Sequence, residues 1–314
     1  MRLIFPVAAF LLTATSAIAA PDMAPAARQL LDLFKTNDVV VLGEVHHVHE
    51  QRSLLTAIAK ENGTRRAFDA FATEAVWTSD QAVLDRYLSS GDEKELFIEE
   101  GWLNSVNIRE AFRAFYANRE KICAVDADFY GPNKKEKRTA ELKQRLASFP
   151  DNVRKILVKQ SGKSVEQMVK DGDPVERDYM MSLAISACLK AHRKVLVHLG
   201  AYHTTSLDPV YLKQTEKGAE WDATQWITYL QPGTRYTVVH NVIDLPADLD
   251  AAGKAMVALY KAKGATAPFL MPSKELPANI KKLMTDEGTE TWRRSDYVIV
   301  GPFGTEEKKV KPVN

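Results

Sequence analysis

Six short runs of this chain are apolar almost throughout, and none of them alternates apolar with polar residues, a pattern that suits a sheet buried on both faces. They are Asp38-Val39-Val40-Val41-Leu42, Ala70-Phe71-Ala72-Thr73, Lys121-Ile122-Cys123-Ala124-Val125, Lys194-Val195-Leu196-Val197-His198-Leu199, Tyr236-Thr237-Val238-Val239 and Tyr297-Val298-Ile299-Val300. Each is too short for a core helix and is rich in residues that favour strands. Helical spacing fills the intervals at Gln81 to Leu88, Ile108 to Asn118, Lys134 to Leu146 and Val175 to Lys190. The last of these has apolar positions at Met180, Leu183, Ala184, Ala187 and Cys188, and Pro174 is placed to start it. Fully apolar strands separated by helices predict an α/β fold: a mostly parallel sheet with helices on both faces.

Residues 131–172 carry helical patterns and no strand, which predicts a helical excursion beside the functional edge, placed to act as a cap. From Pro246 onward the chain reads as a helix, a proline-rich loop, a second helix and the final strand. No repeat, low-complexity tract or linker divides it, so residues 20–314 are expected to form a single domain.

The N-terminus reads as an export signal. Met1-Arg2 is followed by an apolar run from Leu3 to Leu12, then small residues ending in Ala17-Ile18-Ala19. This predicts a signal peptide over residues 1–19 and a periplasmic or secreted protein without a stable membrane anchor after cleavage. Pro6 within the apolar segment and the lack of a following basic cluster favour removal over a permanent span. The chain has 42 Lys and Arg, one of them Arg2, against 41 Asp and Glu, so the processed chain is neutral. That balance carries neither a nucleic-acid footprint nor a polybasic membrane patch; a small-molecule ligand or substrate is the expected partner. The densest basic stretch, Lys134-Lys135-Glu136-Lys137-Arg138, reads as a solvated helix start. Of the two cysteines, Cys123 falls in a strand and Cys188 in a helix, and the expectation is two buried free thiols rather than a bridge.

In an open parallel sheet, ligands bind beyond the carboxyl ends of the strands. After the first strand come Gly43-Glu44-Val45-His46-His47-Val48-His49-Glu50, after the second Glu74, after the third Asp126 and Asp128, and after the fourth Gly200-Ala201-Tyr202-His203. The spacing Gly-x-x-His thus follows a strand twice, and glycine there lets the backbone bend sharply. Taken singly, these positions have ordinary explanations: a turn histidine, a buried partner for arginine, a helix cap. Taken together they do not, because gathering several ionisable groups at a sheet edge is costly unless something uses them.

The same residues resemble a known superfamily. Val41-Leu42-Gly43-Glu44-Val45-His46-His47 is similar to the first motif of the group joining erythromycin esterases, ChaN haem-binding lipoproteins and TIKI/TraB proteins. Glu74, Glu176-Arg177-Asp178-Tyr179-Met180-Met181, Leu199-Gly200-Ala201-Tyr202-His203 and Ser295-Asp296-Tyr297-Val298-Ile299 follow in the order of that group, resembling the ChaN-like members most. The resemblance spans roughly residues 38 to 300. It implies an α/β fold with Glu44, His46, Glu74 and His203 at the site and Arg177 in support. It leaves the activity open among metal-free esterases, metal-dependent peptidases and haem binders. The chain departs from the ChaN lipoproteins in having no lipid-attachment cysteine, and its helical segment 131–172 differs from that of a macrolide esterase.

Two classes of function fit. In a hydrolase, His46 would be the general base on water, Glu44 or Glu74 would orient it, and His203 would steady the oxyanion or protonate the leaving group. An imidazole suits this because it ordinarily titrates near pH ~6.5. No Gly-x-Ser-x-Gly occurs, so water rather than serine is the expected nucleophile. The same four residues are alternatively an N/O ligand set for Zn, Mn or Co. In a haem- or iron-binding protein without catalysis, Tyr202, His203 or His198 would supply the axial ligand. A broad apolar slot would mark the binder and a narrow polar cleft the hydrolase.

Overall fold

The computed structural model describes residues 21–96, 105–127, 135–171, 176–204, 221–286 and 295–306. The expected signal peptide and Asp128 lie outside the described residues. Seven strands form one open sheet in the order β3-β2-β4-β1-β5-β7-β6. They are β1 (Val39–Glu44), β2 (Ala70–Trp77), β3 (Lys121–Asp126), β4 (Val195–Gly200), β5 (Tyr236–Asn241), β6 (Phe269–Pro272) and β7 (Tyr297–Val300). All neighbours pair in parallel except β6, which runs antiparallel to β7 at the edge. The mostly parallel α/β sheet expected from the sequence is therefore present. β6 is an addition, inside what reads as a proline-rich loop.

Alternation of side chains across the pleat explains why the strands are apolar throughout. Val40, Leu42, Phe71, Ile122 and Leu196 enter a core with α1 (Ala24–Asp32), α2 (His49–Arg65) and α4 (Val106–Ala117). α3 (Gln81–Ser90) closes the same face through Leu84 and Tyr87. Val39, Val41, Ala70, Ala72, Val195 and Val197 face the other way, against Met181 and Ile185 of α8 (Arg177–Ala191) and against the helix Ala223–Leu230. Both faces are covered.

The helical excursion consists of α5 (Lys135–Ser148), α6 (Asp151–Ser161) and α7 (Val165–Asp171). Its apolar face, with Leu142, Leu146, Phe149, Val153, Leu157 and Met168, packs on Tyr179 of α8 and Trp226. It forms a third layer outside α8 rather than a lid: the described part buries its apolar face on helices instead of turning it toward the strand ends.

One expectation about the core is corrected. Cys123 and Cys188 form a disulfide, with their Cα atoms 6.3 Å apart. On β3 the neighbours Ile122 and Ala124 face α4, so Cys123 faces the opposite side, where α8 presents Cys188. The pairing follows from pleat alternation once the helix position is known.

Candidate functional site

Each strand that ends at the centre of the sheet delivers one polar group to the same edge. β1 ends in Glu44, and the chain turns through Val45, His46 and His47 before α2 begins at His49. That turn is tightly held. The Val45 amide donates to Gln51 Oε1 at 2.8 Å, and Gln51 Nε2 donates to the Ile243 carbonyl at 2.5 Å. His47 takes a left-handed backbone, φ 72°, an uncommon conformation for a residue with a side chain. Its own side chain is exposed, whereas His49 lies part-buried between Asn107 and Ser53.

Glu44 is 3 % exposed and is surrounded by positive or potentially positive groups. Its Oε1 lies 3.0 Å from His46 Nδ1 and 3.4 Å from Arg52 Nε, and its Oε2 lies 2.8 Å from His198 Nε2. Burial alone would raise this carboxyl; His198, His46 and Arg52 outweigh it and hold it well below the usual carboxylate range. A permanently ionised Glu44 favours the tautomer of His46 that carries its proton on Nδ1, which turns Nε2 into the acceptor. That nitrogen lies over Gly200, so close that a methyl group there would come within 2.9 Å of it and 3.5 Å of Glu74 Oε2.

Glu74, on β2, is the second buried carboxylate. Gly200 N–H donates to its Oε2 at 2.6 Å and Arg177 Nη2 to its Oε1 at 2.8 Å. Burial pushes it up, but His203, Arg177, His46 and the Gly200 amide bring it below its ordinary value. Arg177, the first residue of α8, also grips Asp126 at the end of β3 through Nε and Nη2, at 3.0 and 3.1 Å. Burial raises Asp126 to about 6 in spite of that contact. His203 stands beyond Glu74. Its Nδ1 is 2.5 Å from Asp178 Oδ1, and its Nε2 is 3.2 Å from Arg177 Nη1 and 3.6 Å from Glu74 Oε1. Burial and the nearby Arg177 oppose a charge on His203, yet Asp178 and Glu74 raise it to about 9.

These groups close on a tight gap, too small as it stands to hold a water molecule, lined by Glu44, His46, Arg52, Glu74, Ala75 and His198. Three of the four residues expected at the centre line it; His203 does not, and meets it only through Glu74. Arg177 likewise acts behind Glu74. Tyr202 points outward and is 73 % exposed, so it is not a packing residue. Sequence reasoning did not single out Arg52 or Asp178 for roles, and it considered His198 only as a haem ligand. His198 had a readable signal: a histidine inside an otherwise apolar, doubly buried strand must find a partner, and it finds Glu44 on one side and Thr73 Oγ1, at 3.1 Å, on the other.

The four-residue metal set does not fit this arrangement. The oxygens of Glu74 are taken by Arg177 and Gly200, and those of Glu44 face His46, Arg52 and His198. Among the described residues, the His, Cys, Asp and Glu donors that converge within 4.8 Å in threes are those of Cys123, Cys188 and His192, away from this edge.

No protein-family profile matches the chain and no curated protein matches it. Solved structures do share its fold. A succinoglycan biosynthesis protein is 13 % identical over 93 % of this chain and 96 % of its own, with a TM-score of 0.58. An erythromycin esterase mutant, EreC in its open conformation, is 12 % identical over 91 % and 95 %, with a TM-score of 0.55. ChaN of Campylobacter jejuni, described with cofacial haem binding, is 15 % identical over 87 % and 90 %, with a TM-score of 0.44. At these identities the first two likenesses are of fold alone, and the third, at its TM-score, carries no argument.

Proposed function

We propose that this protein is an exported, periplasmic or secreted hydrolase in which His46 activates water. The observation that carries this reading is the tight polar cluster at the sheet edge, with His46 oriented by Glu44 on one nitrogen and presenting the other beside Gly200 and Glu74. Water gives a proton to His46 Nε2 as its oxygen bonds to the substrate carbonyl. The imidazolium so formed lies between two buried carboxylates, and it returns the proton to the leaving group as that bond breaks. Glu44 is the orienting base partner, itself fixed by Arg52 and His198. Arg177 and His203 keep Glu74 ionised and in place. The fold shared with an erythromycin esterase agrees with ester chemistry.

The gap is too tight to enclose any ligand, so water and the scissile group would meet His46 from its part-exposed side. This also weighs against enclosing a haem there. Haem binding without catalysis keeps one specific support, the outward phenol of Tyr202 beside His203. His198 Nδ1 meets Thr73 and its Nε2 faces Glu44 across 2.8 Å, while His203 Nδ1 is held by Asp178.

The test is a screen of carboxylic esters with chelator-treated protein, the parent beside His46→Ala. Turnover should persist in chelator and fall by ~10²–10⁴-fold in the variant, the contribution of a positioned general base. Turnover that survives His46→Ala removes His46 from its role. Turnover lost to chelator and restored by zinc or manganese gives the site to a metal. A one-to-one Soret titration that Tyr202→Phe abolishes, with no ester turned over, favours the haem reading.

A further inference from the structure

The chain's two cysteines and one histidine make a second constellation, away from the Glu/His centre. Cys123 lies in β3, an edge strand of the sheet. Cys188 lies in the last turn of α8, and His192, four residues on, caps that helix. His192 itself has an extended backbone just past the last turn, and its ring still comes beside Cys188. Their donor atoms and Cys123 Sγ all lie within 4.8 Å of one another. The sulfurs are joined as a disulfide. The His192 ring is half-buried and, among the described residues, has no hydrogen bond or ion pair. Cys123 precedes Asp126 by three residues, about 10 Å along a strand, so this group does not share ligands with the candidate active site.

We propose that Cys123, Cys188 and His192 form a redox-gated zinc site, closed while the disulfide stands and opened when it is reduced. An external dithiol passes two electrons and two protons to the sulfur–sulfur bond, giving two thiols, and closes to its own disulfide. Zinc then displaces the two thiol protons and takes two thiolates and one imidazole nitrogen, leaving a fourth position for water. Thiolate and imidazole select zinc over magnesium, calcium or manganese. The C-terminal end of α8 carries partial negative charge, which favours a cation beside Cys188 and His192. Reduction does not free the two elements from each other, because Arg177 at the start of α8 still grips Asp126 at the end of β3. The thiols therefore remain opposed and ready for the ion. In the oxidising compartment proposed for this chain, the bridge is the resting form.

The experiment titrates the full chain with cobalt(II), a coloured stand-in for zinc, with and without prior reduction by a dithiol that is removed first. The reduced protein should bind one equivalent, with sulfur-to-cobalt charge-transfer absorption and tetrahedral bands that one equivalent of zinc abolishes. The oxidised protein should show neither. His192→Ala, reduced, should keep its circular dichroism and bind at least about tenfold more weakly, a loss expected even for an outer-shell partner of a metal ligand. Cys123→Ser should lose at least half of the charge-transfer intensity. The proposal is overturned if the reduced parent gives no such band, if the oxidised parent binds equally, or if His192→Ala binds as tightly as the parent. A reduced chain that loses its fold overturns it too, because the site needs β3 and α8 in place.

Discussion

The two Gly-x-x-His turns look interchangeable in sequence, yet the structure uses them in opposite ways. In the first, Gly43 lies inside β1, and its histidine leans on a carboxylate that is kept ionised by Arg52 and His198. In the second, Gly200 closes β4 and donates its amide to Glu74, and its histidine is fixed by Asp178 on one nitrogen and Arg177 on the other. The spacing alone does not assign a role. The groups that reach each ring aim one imidazole nitrogen at Gly200 and lock the other ring between a carboxylate and a guanidinium.

The strongest way to break this comparison is to remove each ring in turn. His46→Ala should cost the ~10²–10⁴-fold of a general base with little change in Tm. His203→Ala should leave measurable turnover, because His203 works through Glu74. Equal losses in the two variants would dissolve the distinction.

Next comes the carboxylate beneath the first ring. Glu44→Gln removes the charge faced by the buried Arg52 and His198, and should destabilise the protein by about 3–5 kcal/mol in denaturant unfolding. An unchanged midpoint would mean that Glu44 is dispensable to the fold and that the clamp on His46 is looser than described.

The glycines sharpen the contrast. A methyl group at Gly43 would lie 2.6 Å from His240 Cδ2 and 2.8 Å from Thr204 Oγ1, both buried. Gly43→Ala should therefore cost stability, about 1–3 kcal/mol. At Gly200 the methyl meets the end of the half-exposed His46 ring, which can swing aside. Gly200→Ala should spare Tm and lower turnover by displacing the base. Thermal unfolding and initial rates, measured on both variants, decide this.

The smallest effect is in the pH dependence of stability. His203 is raised to about 9, so its contribution is complete below the ordinary histidine value near ~6.5 and is lost as pH rises through 9. Asp178→Asn should lower that upper limit and flatten the decline of Tm between those values. Glu44 and Glu74 are lowered, so their contribution is present above the ordinary carboxylate range and disappears on acidification.

How much of this could be read in advance depended on whether a signal was local. β1, β2 and β4 were legible because each is a continuous apolar run, and the turns after them placed Glu44, His46, Glu74 and His203 at one edge. β6 was not: Phe269–Pro272 is four residues long, half-buried throughout and ends in proline, which a sheet edge tolerates. Arg52 looks like any polar residue of a surface helix until α2 is packed and leaves it 2 % exposed. Asp178 sat in a quoted motif, but its contact with His203 joins the start of α8 to the turn after β4, a proximity that no local spacing encodes. The disulfide was missed for the same reason, since the pleat fixes which way Cys123 faces but not what waits there.

The most direct test of the central claim is nitrogen-15 NMR of the histidine rings in the uniformly labelled protein, assigned by His46→Ala and His203→Ala. The account predicts that the neutral His46 ring carries its proton on Nδ1, toward Glu44, with Nε2 bare, and that the His203 ring keeps a proton on Nδ1, toward Asp178. A His203 ring with its lone proton on Nε2, or a neutral His46 ring protonated at Nε2, would contradict it.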